Sequence, residues 1–243
     1  MKNAFDILNP QSRIMVLTGA GISAESGIRT FRDSGGLWEN HPVDDVASPG
    51  GFRRDPKLVW NFYKQRYEQA LSVQPNPGHL ALKKLEDVMG DRFWLVTQNV
   101  DGLHDRAGNQ NLIEMHGSLH SSFCTACGGN HPTGELDLEM ELPTCPACNK
   151  MMRPDIVWFG EMPYRMDEID ALLNKSNLLL VIGTSGVVYP AAGFVMRAKY
   201  LGAHTVSVNL DAPDNDAFFD EIHQGKAGTI LPDLLDSWIE KLS

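Results

Sequence analysis

At 243 residues, 42% of them hydrophobic, the chain can bury one large domain with a small insertion. Its net charge of −10 argues against a broad nucleic-acid footprint, which would need a basic patch. No stretch approaches the apolar length of a membrane span and the first nine residues lack a secretory pattern, so a cytoplasmic protein with no membrane partner is expected.

Residues 13–18 form a short apolar run that ends at Gly19-Ala20-Gly21. Similar β-rich runs recur at 93–97, 177–182 and 204–208, each too short for an ordinary helix. Segments of helical composition lie between and beyond them, at 77–89, 163–174, 190–201 and 231–242. Strands alternating with helices predict an α/β fold, a Rossmann-like parallel sheet with helices on both faces. The near-continuous apolar strands fit burial on both sides of that sheet.

Two stretches break the alternation. One opens as a Gly-rich loop after Ile28 and continues into a helical run at 56–71; the other, 119–155, holds all four cysteines and a polar loop at 130–141. The expected division assigns 1–28, 76–118 and 156–243 to the sheet domain. A smaller lobe combines the 29–75 insertion with the 119–155 module.

Gly19-Ala20-Gly21-Ile22-Ser23-Ala24 satisfies G-x-G-x-x-G/A directly after a predicted strand. Such glycines let backbone N–H groups approach a pyrophosphate, although a tight strand-to-helix turn without a ligand satisfies the same pattern. A dehydrogenase would continue with a second strand and an acidic residue about twenty positions on. Here the chain runs into Gly27-Ile28-Arg29-Thr30-Phe31-Arg32-Asp33-Ser34-Gly35-Gly36, which reads as loop, so hydride transfer loses its support.

Cys124, Cys127, Cys145 and Cys148 make two C-x2-C pairs separated by seventeen residues. Two such knuckles complete a tetrahedral sulfur site for one zinc ion. Both carry turn chemistry, which disfavours disulfides or four unrelated core cysteines. A full thiolate shell leaves no open position, so the metal is expected to be structural.

Six motifs in one order carry a resemblance. GAGISAESGIRTFR from Gly19, TQNVDGLH from Thr97, EMHG from Glu114, VWFGE from Val157, GTS from Gly183 and NLD from Asn209 resemble the sirtuins, with the cysteine module between EMHG and FGE. The likeness covers nearly the whole chain and is nearest to the bacterial CobB-type branch. It implies NAD-consuming removal of acyl groups from lysine side chains of protein substrates, with NAD cleaved at its nicotinamide–ribose bond.

The resemblance also implies roles. His116 is the base that takes a proton from a ribose hydroxyl, a task suited to a side chain that titrates near neutrality. Cofactor contacts fall to Gly19, Ala20, Gly21, Ile22, Glu25, Thr30, Phe31, Arg32 and Trp38. Further ones fall to Gln98, Asn99, Val100, Asp101, Gly183, Thr184, Ser185, Asn209, Leu210, Asp211 and Ala227. Val157, Phe159, Gly160 and Glu161 on one side, and Gly186 and Val187 on the other, clamp an extended peptide between them.

Tyr63 and Arg66 lie three apart in a helical run and share a face. A tyrosine hydroxyl and a guanidinium can together hold a carboxylate, and the Y-x-x-R pattern matches the branch that removes succinyl and malonyl groups. A packed tyrosine beside a solvated arginine is the plainer alternative. Acidic acyl chains are expected to be preferred over acetyl. Two rival outcomes remain at this point, ADP-ribosyl transfer to protein and a non-catalytic NAD-binding scaffold. A monomer is expected.

Overall fold

The computed structural model describes residues 3–29, 37–186, 188–212 and 215–242. The expectations placed on Thr30, Phe31, Arg32 and Val187 lie outside the described residues. Six strands form an all-parallel sheet in the spatial order Glu221–Gln224, His204–Asn209, Leu178–Ile182, Ile14–Thr18, Phe93–Thr97, Leu112–Glu114. The two central strands, Ile14–Thr18 and Leu178–Ile182, are buried at every position, as their unbroken apolar sequences require.

Alternate residues feed two separate cores. Ile14, Val16, Leu178 and Leu180 point to one face, where the helices Pro77–Met89 and Ala227–Leu242 bring Leu82, Leu85, Leu231, Leu235 and Trp238. Met15, Leu17, Leu179 and Val181 point to the other, against Ile169, Leu173, Phe194 and Val195 of the helices Met166–Lys175 and Phe194–Tyr200. Each such side chain contributes about 1.5–3 kcal/mol by leaving water.

A third core lies off the sheet. The helix Pro56–Ser72 buries Val59, Trp60, Phe62 and Tyr63 against Leu119, Met152, Ile156 and Trp158. Its start is set locally: the Asp55 side chain accepts from the Leu58 N–H, and Pro56 occupies the first turn. The cysteine segment carries an antiparallel three-stranded sheet of Gly117–Cys124 between Asn130–Pro132 and Met152–Ile156. Trp60 Nε1 donates to the Met152 carbonyl at 2.9 Å and locks the helix to that sheet.

Several boundaries differ from the sequence expectation. The last helix begins at Ala227, before the expected 231, and contains Pro232. The Glu25 carboxylate, remote in sequence, accepts the Gly228 N–H at 2.8 Å and supplies the start signal that the local sequence lacks. The segment expected at 163–174 begins at Met166, after Arg165 in the left-handed region. The segment expected at 190–201 divides into a 3-10 turn, Ala191–Gly193, and the helix Phe194–Tyr200. The polar 130–141 loop contains a strand and a 3-10 turn, Thr133–Glu135. Two sheet strands, Leu112–Glu114 and Glu221–Gln224, are too short or too polar to announce themselves. Among the described residues no helix is long and apolar enough to cross a membrane.

Candidate functional site

The carboxyl ends of the parallel strands, where open α/β sheets bind ligands, bring together the segments after Thr18, Thr97, Glu114, Ile182 and Asn209. The glycine turn is built by close approach. A Cβ on Gly21 would stand 2.6 Å from the Gly183 Cα, and one on Gly183 would stand 2.4 Å from the Ile22 nitrogen. Gly183 also has φ +61°. The helix implied after the turn is a single 3-10 turn, Ala24–Ser26. The N–H groups of Gly19, Gly21, Ile22 and Ser23 donate to Ile182, Gly183, Gly19 and Ala20 carbonyls. That of Ala20 has no such carbonyl partner among the described residues.

Gln98, Asn99 and Asp101 follow the strand Phe93–Thr97. The Gln98 N–H donates to the Thr18 carbonyl, and its Nε2 reaches Thr184 Oγ1 at 3.3 Å. Asn99 is buried, and its Nδ2 donates to the Gly19 carbonyl at 3.1 Å and Ser23 Oγ at 3.2 Å. Asp101 is buried and accepts from the Leu103 N–H; burial pushes its carboxyl above the usual range. The Val100 carbonyl accepts from Leu119 and ties this segment to the cysteine module.

Beside these residues lies a polar group that the motif reading left without a role. Thr18 Oγ1 lies 2.8 Å from Thr97 Oγ1 and 3.0 Å from His104 Nε2. The His104 ring meets His79 at 4.8 Å with the planes tilted by 54°, and His79 Nε2 is 3.5 Å from Ser23 Oγ. Burial holds both imidazoles neutral, with His79 pushed down to about 4. Nothing in the sequence around His79, the third residue of a helix, signals this placement.

The remaining cofactor-side expectations fall around the same edge. Asn209 Nδ2 donates to the Thr184 carbonyl at 3.0 Å. Ser185, Leu210 and Asp211 are exposed, whereas Ala227 is buried at the start of the last helix. The Glu25 carboxylate is engaged by that helix, as described. Trp38 lies elsewhere: its ring meets Phe62 at 4.9 Å and Tyr63 at 6.3 Å, both edge to face.

His116 follows the strand Leu112–Glu114. Its Nδ1 lies 3.2 Å from the Gln98 carbonyl, an acceptor only, so Nδ1 carries the proton and Nε2 keeps its lone pair. Burial lowers the imidazole pKa below its ordinary value, and the carbonyl contact partly offsets that. The His116 carbonyl accepts from the Val157 N–H at 2.9 Å, which joins the histidine to the VWFGE loop.

In that loop, Phe159 is exposed, Gly160 adopts φ +90°, and the Phe159 N–H donates to Ala47. The Glu161 carboxylate is committed to Arg153, at 2.8 and 2.6 Å, and to the Trp158 N–H at 2.9 Å. The Arg153 guanidinium in turn lies 3.5 Å over the Trp158 ring. Gly186, expected on the other side of the peptide, adopts φ +77°.

Tyr63 and Arg66 share one face of the helix Pro56–Ser72. The Tyr63 hydroxyl accepts from Trp158 Nε1 at 2.9 Å and, being buried, stays protonated far above its ordinary range. Arg66 is mostly buried, donates to the Phe62 carbonyl at 2.6 Å and stacks 3.6 Å over the Phe62 ring. It is not the solvated arginine of the plainer reading.

The four cysteine sulfurs all lie within 4.8 Å of one another. Cys124 and Cys148 Sγ are 3.4 Å apart, and Cys127 and Cys145 Sγ are 3.8 Å apart. A zinc ion bonded at about 2.3 Å to a tetrahedron of sulfurs requires edges of about 3.8 Å. The Ala126 and Cys127 N–H groups aim at Cys124 Sγ at 3.4 and 3.5 Å, as a knuckle does around a thiolate. The donor set fits one closed, structural zinc ion.

The chain is similar to known proteins over nearly its whole length. A Pasteurella multocida protein named NAD-dependent protein deacylase is 51% identical over 235 residues, covering 96% of this chain and 100% of its own length. The structure of a Sir2 homologue–NAD complex superposes with a TM-score of 0.88 at 38% identity, covering 96% of this chain and 92% of that one. A Sir2–p53 peptide–NAD+ complex superposes with a TM-score of 0.82 at 30% identity, covering 92% of each chain. The Sir2 family pattern matches residues 19–190, and the chain belongs to that family.

Proposed function

We propose that the chain is an NAD-dependent protein-lysine deacylase that accepts succinyl, malonyl and acetyl groups and prefers the acidic ones. The observation that carries this reading is the continuity of the site. His116 contacts Gln98 beside the glycine turn and, through Val157, the loop whose Trp158 holds Tyr63. The deacylase relative and the NAD-bound and peptide-bound Sir2 structures support the reaction class and both substrates.

When bound, NAD supplies the electrophilic ribose carbon and the nicotinamide leaving group. The protein supplies placement and proton transfer. Gly19, Ala20, Gly21 and Ile22 line the phosphate and nicotinamide side; of the residues outside the described ones, Arg32 takes a phosphate, Phe31 shields the reactive ribose carbon and Thr30 is a further cofactor contact. Asn99, pinned through Nδ2, offers its Oδ1 to the nicotinamide end together with Val100 and Asp101. Gln98, Gly183, Thr184, Ser185, Asn209, Leu210, Asp211 and Ala227 take the ribose and adenosine portions, with Glu25 and Trp38 in supporting positions.

His116 Nε2, unprotonated because Nδ1 is committed to a carbonyl, accepts the ribose hydroxyl proton. The backbones of Val157, Phe159, Gly160 and Glu161 and of Gly186 and Val187 hold the peptide as an added strand. Tyr63 and Arg66 read the acyl end. Zinc on Cys124, Cys127, Cys145 and Cys148 stays outside the chemistry and holds the 119–155 module, which with 29–75 forms the smaller lobe. The working protein is a cytoplasmic monomer that does not bind nucleic acid.

The test follows one succinyl-lysine peptide and its acetyl-lysine counterpart with NAD by mass spectrometry. Nicotinamide, free-lysine peptide and O-acyl-ADP-ribose are expected, with Arg66→Met collapsing succinyl turnover far more than acetyl turnover. ADP-ribose appearing on the protein instead, or equal losses on both peptides, would overturn the respective part of the reading.

A further inference from the structure

Arg66 does not face the acyl pocket alone. Glu39 Oε2 lies 3.8 Å from its NH2 and 2.7 Å from Arg29 NH1, and the Arg66 and Glu39 side chains are only 15% and 17% exposed. Arg29, in contrast, is 73% exposed. Arg66 Nε is buried and has no hydrogen-bond partner among the described residues. The guanidinium is therefore underused, and Glu39 is the one carboxylate paired with it there.

Glu39 occupies an unusual backbone position. It and Asn40 have φ +50° and +66°, joining the short antiparallel strands Leu37–Trp38 and His41–Pro42. A two-residue hairpin turn with both φ values positive favours Asn, Asp or Gly, and glutamate is a poor choice for it. The same hairpin carries Trp38, whose ring packs on Tyr63. The hairpin thus delivers one aromatic wall and one carboxylate to the Tyr63–Arg66 pair.

We propose that Glu39 is the internal counter-ion of Arg66 and sets the range of acyl groups the pocket accepts. The proposal rests on the deacylase reading above and on Arg66 as its acid-reading group. With an uncharged acyl chain bound, Glu39 balances a guanidinium that would otherwise sit mostly buried without an anion. With an acidic acyl chain bound, the substrate carboxylate and Glu39 compete for one cation. Arg29 then holds Glu39, since its contact is already the shorter one. The pocket gains tolerance for acetyl at the cost of selectivity for succinyl.

The experiment compares kcat/KM for succinyl-lysine and acetyl-lysine forms of one peptide in wild type, Glu39→Gln, Glu39→Asn and Glu39→Asp, each with and without Arg66→Met. The asparagine variant suits the positive-φ turn and guards against a backbone effect of glutamine. Both neutral variants should raise the succinyl-to-acetyl ratio on the order of fivefold, the gain from freeing the mostly buried Arg66 guanidinium of a competing carboxylate. It should appear mainly as a lower KM for the succinyl peptide. Glu39→Asp should stay nearer wild type, and no Glu39 change should move the ratio once Arg66 is methionine. An unchanged or lower ratio in the neutral variants, while Arg66→Met still collapses succinyl turnover, overturns the Glu39 proposal alone. If Arg66→Met leaves the wild-type ratio unmoved, the acid-reading role itself fails and the proposal falls with it.

Discussion

The indole Nε1 of Trp158 donates to the Tyr63 hydroxyl at 2.9 Å, joining the 157–161 loop to the helix Pro56–Ser72 across 95 residues of sequence. The bond consumes an acceptor site of Tyr63 and leaves its proton to be given. It fixes the hydroxyl in one direction, and Arg153 over the indole ring fixes Trp158 in turn. On the proposed reading, selectivity for acidic acyl chains is thereby coupled to the loop that carries Val157.

Tyr63→Phe tests that coupling from one end. The ring still fills its place, but Trp158 Nε1 loses its partner in a buried site, a cost of about 1–3 kcal/mol. For a chain of this size that lowers the melting temperature by several degrees. Trp158→Phe should leave Tyr63 packed but undirected, raising KM for the succinyl peptide more than for the acetyl peptide. Equal effects on the two peptides would show that the bond serves folding alone.

A second prediction concerns pH. His116 acts as a base only when neutral, and burial lowers its pKa below the ordinary 6.5. The acid limb of kcat/KM should therefore have its midpoint below 6.5, with the rate still near its plateau at neutrality. His116→Gln should lose nearly all deacylation while keeping a wild-type melting temperature. An acid-limb midpoint at or above 6.5, or substantial turnover in the variant, would remove His116 from the base role.

Much of this site was legible because its residues sit in short contiguous motifs at strand ends. Gly19 and Gly21 stood out because only glycine allows the approach to Gly183, and the central strands stood out because burial on both faces removes polar residues. Long-range partners left no such mark. Glu25 starting the last helix, His79 packed at a tilt against His104, and Trp158 bonded to Tyr63 each join segments far apart in sequence. Glu39 was hidden for another reason: its positive φ runs against the turn preference of glutamate, so local propensity pointed away from it.

The cysteine module gives a third prediction. Its sheet shares one core with the helix that bears Tyr63 and Arg66, through Trp60 and Met152. Stripping the metal with a strong chelator, or Cys124→Ala, should unfold that core and abolish turnover while the parallel sheet keeps its far-ultraviolet signature. The bound metal should measure one zinc per chain. A Cys124→Ala variant that stayed folded and active without metal would defeat the structural assignment.

The last prediction concerns stability and rests on opposed titrations. Burial pushes Glu114 up to about 7 from 4.5, so between those values the folded chain holds a proton that the unfolded chain has released. Its contribution to stability therefore falls as pH rises through that window, and the loss is complete above it. His79, pushed down to about 4, and His104 act with the other sign. Below 6.5 the unfolded chain takes up protons that the folded chain refuses, so their contribution falls as pH drops. Between about 4.5 and 6.5 the carboxylate offsets only one of the two histidines, so these three groups leave a net rise of stability with pH there, of about 1.4 kcal/mol per pH unit. Glu114→Gln removes only the carboxylate's part. The variant should exceed wild type by about 1–3 kcal/mol at pH 8 and by little at pH 4.5, read from urea unfolding at the two values. A gain equal at both would assign it to packing, and a loss at pH 8 would mean that Glu114 is held as a paired anion.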